Sequence, residues 1–388
     1  MLQDFITYLL VVFLLIAGLT KSFKLRMSQS VLIAGLNPAL QRQVTFAKGL
    51  TKGSVNRASE VGVGIGGKGQ NVLIASKYMD IREDTKVDVA MFCGSGGEGD
   101  TLIDLLRAID AREDLTIRST SHLRICTTLV DAKNDNQTTE LVEPSGTISG
   151  AEAEEMLAKL SSHFGDAPPV GVALMGSMPP GLPKEFYVKI LEAAGAKAGH
   201  TRVLIDTTTF VVDTLAYCAS QGVDAMVKLN ARELTNLMGI EEGVGTDGEA
   251  DSATSSQAVL SACAALATSV SALDGSPRPT FYVGVTDGPY QAHLVEVCSG
   301  TVKAHHLFTV PALPKPLSSA IGAGDAVASG TLMQWSGCCE GGAASAVKAF
   351  KFGLAVGSAS CLTKTNSVWD KVDCDKILDG MKVASQSV

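Results

Sequence analysis

The run Leu317-Ser318-Ser319-Ala320-Ile321-Gly322-Ala323-Gly324-Asp325-Ala326-Val327-Ala328-Ser329-Gly330-Thr331-Leu332 carries the strongest signal in the chain. A proline-rich segment, Pro311 to Pro316, leads into it, and Gly322-Ala323-Gly324 gives a backbone free to turn sharply. Ala326 to Trp335 is small and apolar and reads as a helix. A glycine turn that opens a helix leaves several N–H groups without partners, and the helix dipole adds to their pull on an anion. Asp325 stands in that turn. With a phosphoryl group on the N–H groups, this carboxylate would sit where it can take a proton from an attacking hydroxyl, and phosphoryl transfer asks for little more than charge stabilisation and a positioned base. The plainer reading of Asp325 is a helix N-cap.

A second glycine-rich stretch, Gly62-Val63-Gly64-Ile65-Gly66-Gly67-Lys68-Gly69-Gln70-Asn71, reads as a loop that opens a helix from Asn71 to Met79. It nearly fits the nucleotide P-loop, but Gly69 stands where the Mg²⁺-binding hydroxyl belongs, so that reading is rejected. Lys68 among the glycines points to a small ligand. A third run, Gly94 to Gly99, matches a dinucleotide fingerprint only loosely and lacks its acidic partner.

Outward from these loops the chain alternates helix and strand. Strands are expected at Val31–Leu36, Val87–Phe92, Val170–Met175, Val203–Asp206, Ala225–Asn230, Thr280–Val285 and Tyr290–Val297. Helices are expected at Asp100–Ala111, Ala151–Phe164, Lys184–Ala194, Ala258–Leu273, Ala343–Leu362 and Lys371–Val383. Such alternation implies an α/β fold with a parallel sheet covered on both faces. Ligands of such sheets collect at the C-terminal strand ends, where Ser177, Asp206, Asn230 and Glu233 fall. Gln43–Phe46 and Ser54–Ser59 alternate like half-open strands, and Arg124–Val130 with Thr138–Val142 reads as a hairpin. Residues 241–257, acidic and rich in Gly and Ser, read as a surface insertion. No repeat or linker divides residues 30–388.

The chain has 388 residues, a net charge of −8, 19% charged and 5% aromatic residues. With no basic run, nucleic acid is excluded as the main partner, while a local basic cluster still permits an anionic substrate. Nine cysteines, an odd number without a C-x-x-C pair, read as reduced thiols. Residues 1–29 look separate from the fold: Phe5 to Leu19 is an apolar run, followed by Lys21, Lys24 and Arg26. A cleaved signal, an organellar leader of plastid-like type, a signal anchor and an upstream extension before Met27 all remain open, and with them a cytoplasmic or organellar location.

Read together and in order, Leu36-Asn37-Pro38-Ala39, Gly66-Gly67-Lys68-Gly69 with Asn71, Gly176-Ser177 with Pro179 and Gly181, Asn230-x-x-Glu233, and Gly322-Ala323-Gly324-Asp325 resemble the ribokinase-like, phosphofructokinase-B-type carbohydrate kinases. Lys68, Arg124 and Thr139 to Glu143 resemble the branch acting on sugar phosphates, the 1-phosphofructokinases and tagatose-6-phosphate kinases. The resemblance implies a three-layer α/β/α fold with a mainly parallel sheet and a small β lid, its strands within 36–62 and 122–143. It implies ATP and Mg²⁺ as cofactors, a sugar phosphate as substrate, and pairing of two copies through the lid. Asp325 is then the general base, and Gly322, Ala323 and Gly324 the anion hole. Lys228, Asn230, Glu233 and Gly288 serve the nucleotide, with Glu233 reaching Mg²⁺ through water. Asn37, Gln41, Gly66, Gly67, Lys68, Asn71, Arg124 and Ser177 serve the sugar phosphate. Gln41 departs from the family's Asp, Leu229 from a Pro, and Thr286-Asp287 from a Gly. A kinase of an unphosphorylated sugar or nucleoside, and a structural partner without strong catalysis, are the alternatives.

Overall fold

In a computed structural model, residues 28–134, 136–240, 254–274 and 280–388 are described. The apolar run Phe5 to Leu19 and residues 241–253 of the expected insertion lie outside them. The described chain forms two sheets. The larger has the order β14-β13-β12-β11-β10-β9-β8-β1-β4-β5. Its parallel part comprises β1 (Gln29–Ala34), β4 (Thr85–Ser95), β5 (Thr116–His122), β8 (Gly171–Met175), β9 (Arg202–Asp206), β10 (Asp224–Asn230) and β11 (Phe281–Thr286). Three antiparallel strands continue it: β12 (Ala292–Cys298), β13 (Thr301–Thr309) and β14 (Lys382–Ser387).

The central strands are apolar on both faces because helices cover both. On one face pack α1 (Lys68–Ser76), α2 (Gly97–Arg107), α8 (Ala323–Trp335), α9 (Ala346–Ser360) and α10 (Lys371–Gly380). On the other pack α3 (Gly150–Phe164), α4 (Phe186–Ala193), α5 (Val211–Ser220), α6 (Ala231–Leu237) and α7 (Ser256–Asp274). α7 is long and apolar enough to cross a membrane. Here it is a core helix: Val259, Ala262, Cys263, Leu266, Ala267 and Val270 form one fully buried stripe at helical spacing. α8 and α9 approach closely because a Cβ on Gly330 would stand 3.0 Å from Gly353 Cα.

The smaller sheet has the order β3-β2-β6-β7, from β2 (Ala39–Phe46), β3 (Glu60–Gly66), β6 (Ile125–Asp131) and β7 (Gln137–Val142). The expected hairpin is its β6–β7 half. Ser54–Ser59 is not a strand. Its place is taken by Glu60–Gly66, which the sequence suggested was loop, because pairing with β2 supplies the hydrogen bonds and an added Cβ at Gly62 or Gly64 meets nothing. Other boundaries also move. α1 starts at Lys68, α2 at Gly97 and α8 at Ala323, each directly after a glycine of positive φ. α7 starts at Ser256, inside the expected insertion, and the last helix stops at Gly380 so that Val383 lies in β14.

Candidate active site

The candidate site lies beyond the C-terminal ends of the parallel strands, where α1, α6 and α8 begin. Gly322 caps α8 at φ 77°, in the left-handed region that a glycine adopts without strain. A Cβ there would also sit 2.5 Å from Ser367 Oγ, which donates to the Gly322 carbonyl. Ala323 N–H turns back to the Ala320 carbonyl, so it is spent. The N–H groups of Gly324 and Asp325 have no acceptor among the described residues. Gly324 has its own constraint: a Cβ would stand 2.9 Å from Lys228 Nζ, so the ammonium rests over this turn.

Asp325 is the third residue of α8 and only 7% exposed. It does not cap its own helix. Its carboxylate accepts from Asn71 Nδ2 at 2.8 Å, and Asn71 belongs to α1. Burial, then the nearby Asp206 charge, push its pKa from 3.8 up to about 7; Lys68, the Asn71 amide and Lys228 pull the other way. A carboxyl titrating there can hold or release a proton near neutrality.

Asp206 ends β9 with no exposed surface. One oxygen pairs with Lys68 Nζ at 2.7 Å and the other with Lys228 Nζ at 2.9 Å. Burial favours its neutral form, but the two lysines outweigh that and lower its pKa. Lys68 also meets Glu233 at 3.4 Å, and its carboxylate partners outweigh burial to raise its pKa. Two neighbouring carboxyl groups are thus driven apart, one firmly ionised and one poised.

A cavity of about 310 Å³ opens beside this cluster, lined by Asn37, Lys68, Arg124, Ser177, Thr207 and Glu233 among others. Asn37 donates to Ser145 Oγ at 2.9 Å and Ser177 Oγ at 3.0 Å. Arg124 is braced by its own donation to the carbonyls of Asn37 and Pro38, at 2.8 and 3.3 Å. Gly67 caps α1 at φ 107°, and Gly66 ends β3 beside it. Gln41 lies apart from the cavity wall and donates to Thr128 Oγ1 at 2.8 Å in the small sheet. Gly288, at φ 54°, sits in the turn after β11. Its neighbours Asp287 and Pro289 line a second cavity of about 290 Å³. Asn230 and Glu233 form a capping box on α6: Asn230 Oδ1 accepts from Glu233 N at 2.7 Å, and Asn230 N donates back to Glu233 Oε2 at 2.9 Å.

No group of three or more His, Cys, Asp or Glu able to hold a metal occurs among the described residues. Glu233 supplies one carboxylate. That set fits Mg²⁺, which is commonly held by one or two carboxylates, waters and substrate phosphates.

The sequence pattern of the pfkB family carbohydrate kinases matches residues 39–368. The chain belongs to this family. A 1-phosphofructokinase of Xanthomonas campestris pv. campestris is 28% identical over 208 residues, 54% of this chain and 62% of that relative. The chain therefore matches less than two thirds of that relative's length. Among solved structures, a possible 1-phosphofructokinase of Thermotoga maritima superposes with a TM-score of 0.66 at 19% identity, covering 92% of this chain and 99% of the other. Phosphofructokinase-2 of Escherichia coli in complex with potassium gives 0.65 at 19% identity, covering 91% and 98%. Ribokinase of Giardia lamblia gives 0.64 at 16% identity, covering 90% and 99%. At such identities the likeness shows the fold, a ribokinase-like α/β fold, as expected for a pfkB member.

The structure brings together Asp325, Asn71, Lys68, Lys228, Asn230 and Glu233, and puts Asn37, Arg124 and Ser177 on the neighbouring cavity wall. It leaves Gln41 and Gly288 outside that cluster. In the sequence Asp206 shows only as a strand-end acid. Nothing local shows that it joins two lysines, one of them 138 residues away. Thr207 to Thr209 also line the cavity, with no local signal in the sequence.

Proposed function

We propose that the protein transfers the γ-phosphoryl group of ATP to a hydroxyl of a phosphorylated hexose, of the fructose 1-phosphate or tagatose 6-phosphate type. The observation that carries this reading is Asp325: a buried carboxyl at a glycine-opened helix start, held by Asn71 and lifted to about 7. In this role Asp325 takes the proton of the acceptor hydroxyl. The free N–H groups of Gly324 and Asp325, with Lys228 over them, face the transferred group. Lys68 and Arg124 bind the phosphate the sugar already carries, and Asn37 and Ser177 its hydroxyls. Asn230, Glu233 and the Gly288 turn serve the nucleotide. Mg²⁺, when bound, neutralises phosphate charge, and Glu233 would hold it through water. The small sheet covers the sugar and keeps out water, the competing acceptor.

One observation favours a second reading. Lys68 is already paired with two carboxylates, which suits an unphosphorylated sugar better than a free phosphate grip would. An ADP-release assay with Mg²⁺ and ATP decides between them, using fructose 1-phosphate, tagatose 6-phosphate, fructose, ribose and adenosine. Turnover of the sugar phosphates is expected. Turnover of only the unphosphorylated acceptors transfers the assignment to the second reading, and no turnover with any of them refutes both.

The small sheet also supports the pairing of two copies. Strand register aligns Val61 with Val44 and Leu129, and Val63 with Arg42, Thr127 and Leu141, on one face. Val61, Val63 and Leu141 are about half exposed there.

A further inference from the structure

Asp206 is the one fully buried carboxylate of the site among the described residues. Its two oxygens diverge to two ammonium groups that belong to different tasks. Lys68 lines the sugar cavity, and Lys228 lies over Gly324 at the start of α8. The two lysines differ in what they would keep without it. Lys68 has Glu233 at 3.4 Å, and Lys228 sits on a strand end only 4% exposed, where an unpaired charge is costly. The Asp206 backbone is itself fixed: its carbonyl accepts from Gly176 N–H at 2.8 Å, which ties it to the end of β8.

We propose that Asp206 is a positioning residue whose single carboxylate sets Lys68 at the sugar cavity and Lys228 at the phosphoryl turn, coupling acceptor binding to group transfer. The kinetic part of this inference rests on the reading of Asp325 as the base. The electrostatic part does not. Asp325 is faced by Asn71 and Lys68 from α1, Asp206 from β9 and Lys228 from β10. The negative charge of Asp206 therefore holds the Asp325 proton on, and each lysine loosens it.

Opposite signs follow for opposite variants, which a role in folding alone would not give. In Asp206→Asn, the acid limb of kcat/KM should move down by about one pH unit. The plateau kcat should fall about tenfold or more as Lys228 leaves Gly324, and KM for the sugar phosphate should rise as Lys68 turns to Glu233. In Lys228→Met, the acid limb should move up. The ¹³C carboxyl titration of Asp325 in the ATP-free protein should show the same two directions without any turnover. An acid limb and a titration unmoved by Asp206→Asn, or moved the same way by both variants, overturn the proposal. Should Asp206→Asn fail to fold, Asp206→Asn/Lys228→Met removes both charges of the buried pair. Its Asp325 titration must then lie below that of Lys228→Met, and equality overturns the proposal. If the wild type turns over no sugar, the kinase reading fails while the titration still decides this one.

Discussion

Replacing Asp325 by Asn should remove activity and strengthen the fold at once. The carboxyl is held at about 7 against 3.8, so the folded chain binds this proton more tightly than the unfolded chain. The sign follows from linkage: the contribution is full below 3.8 and is lost as pH rises through about 7. A rise of about three units corresponds to about 4 kcal/mol as a ceiling on the cost of ionising Asp325 at alkaline pH. A neutral amide in its place would carry no such cost, and its oxygen can still accept from Asn71. Turnover should fall by about 10² to 10⁴, as for loss of a general base. Meanwhile the melting temperature of Asp325→Asn should exceed that of the wild type at pH 8.5 by several degrees, at about 2 °C per kcal/mol. The gap should shrink to less than half of that by pH 5 and close only below 3.8. Scanning calorimetry at both pH values with a parallel ADP-release assay reads the two effects. A variant that is less stable at pH 8.5, or that keeps full turnover, refutes the account of Asp325.

Gly69→Ala should destabilise the chain by about 1 to 3 kcal/mol or more, because its Cβ would lie 2.3 Å from Gly35 Cα, and backbone cannot rotate aside; an unchanged melting temperature would contradict this. Arg124→Lys loses the fork that spans the Asn37 and Pro38 carbonyls, so KM for a sugar phosphate should rise about tenfold with kcat little changed. Steady-state kinetics checks it, and an equal effect on an unphosphorylated sugar would count against the assigned role. Val63→Glu on the apolar face of the small sheet should shift the protein to monomers in light scattering, if the wild type is first found to be dimeric; a dimer that survives places the contact elsewhere.

Much of this was legible in the residues because it is local. Gly322 to Asp325 announces a turn into a helix, and the strand-end acids and amides fall on one side of a parallel sheet by the logic of α/β alternation. Asn230 and Glu233 sit at capping-box spacing, which the fold uses. What escaped was set by distant partners. Glu60 to Gly66 has the glycines of a loop and becomes a strand only because β2 lies beside it. Thr301–Thr309 and Lys382–Ser387 pair with each other across some eighty residues. The bond between Asn71 and Asp325 joins positions 254 apart, and no periodicity reports such a contact.

The last strand has a practical consequence. β14 is exposed along its whole length, yet it covers the free edge of β13, and Gln386 donates to His305 at 3.2 Å in the interior behind it. Trimming those few residues would strip a row of amides bare and invite other chains to dock on them. An affinity handle placed there would tug on the sheet's margin, so purification schemes for this kinase-family protein should leave that end untouched.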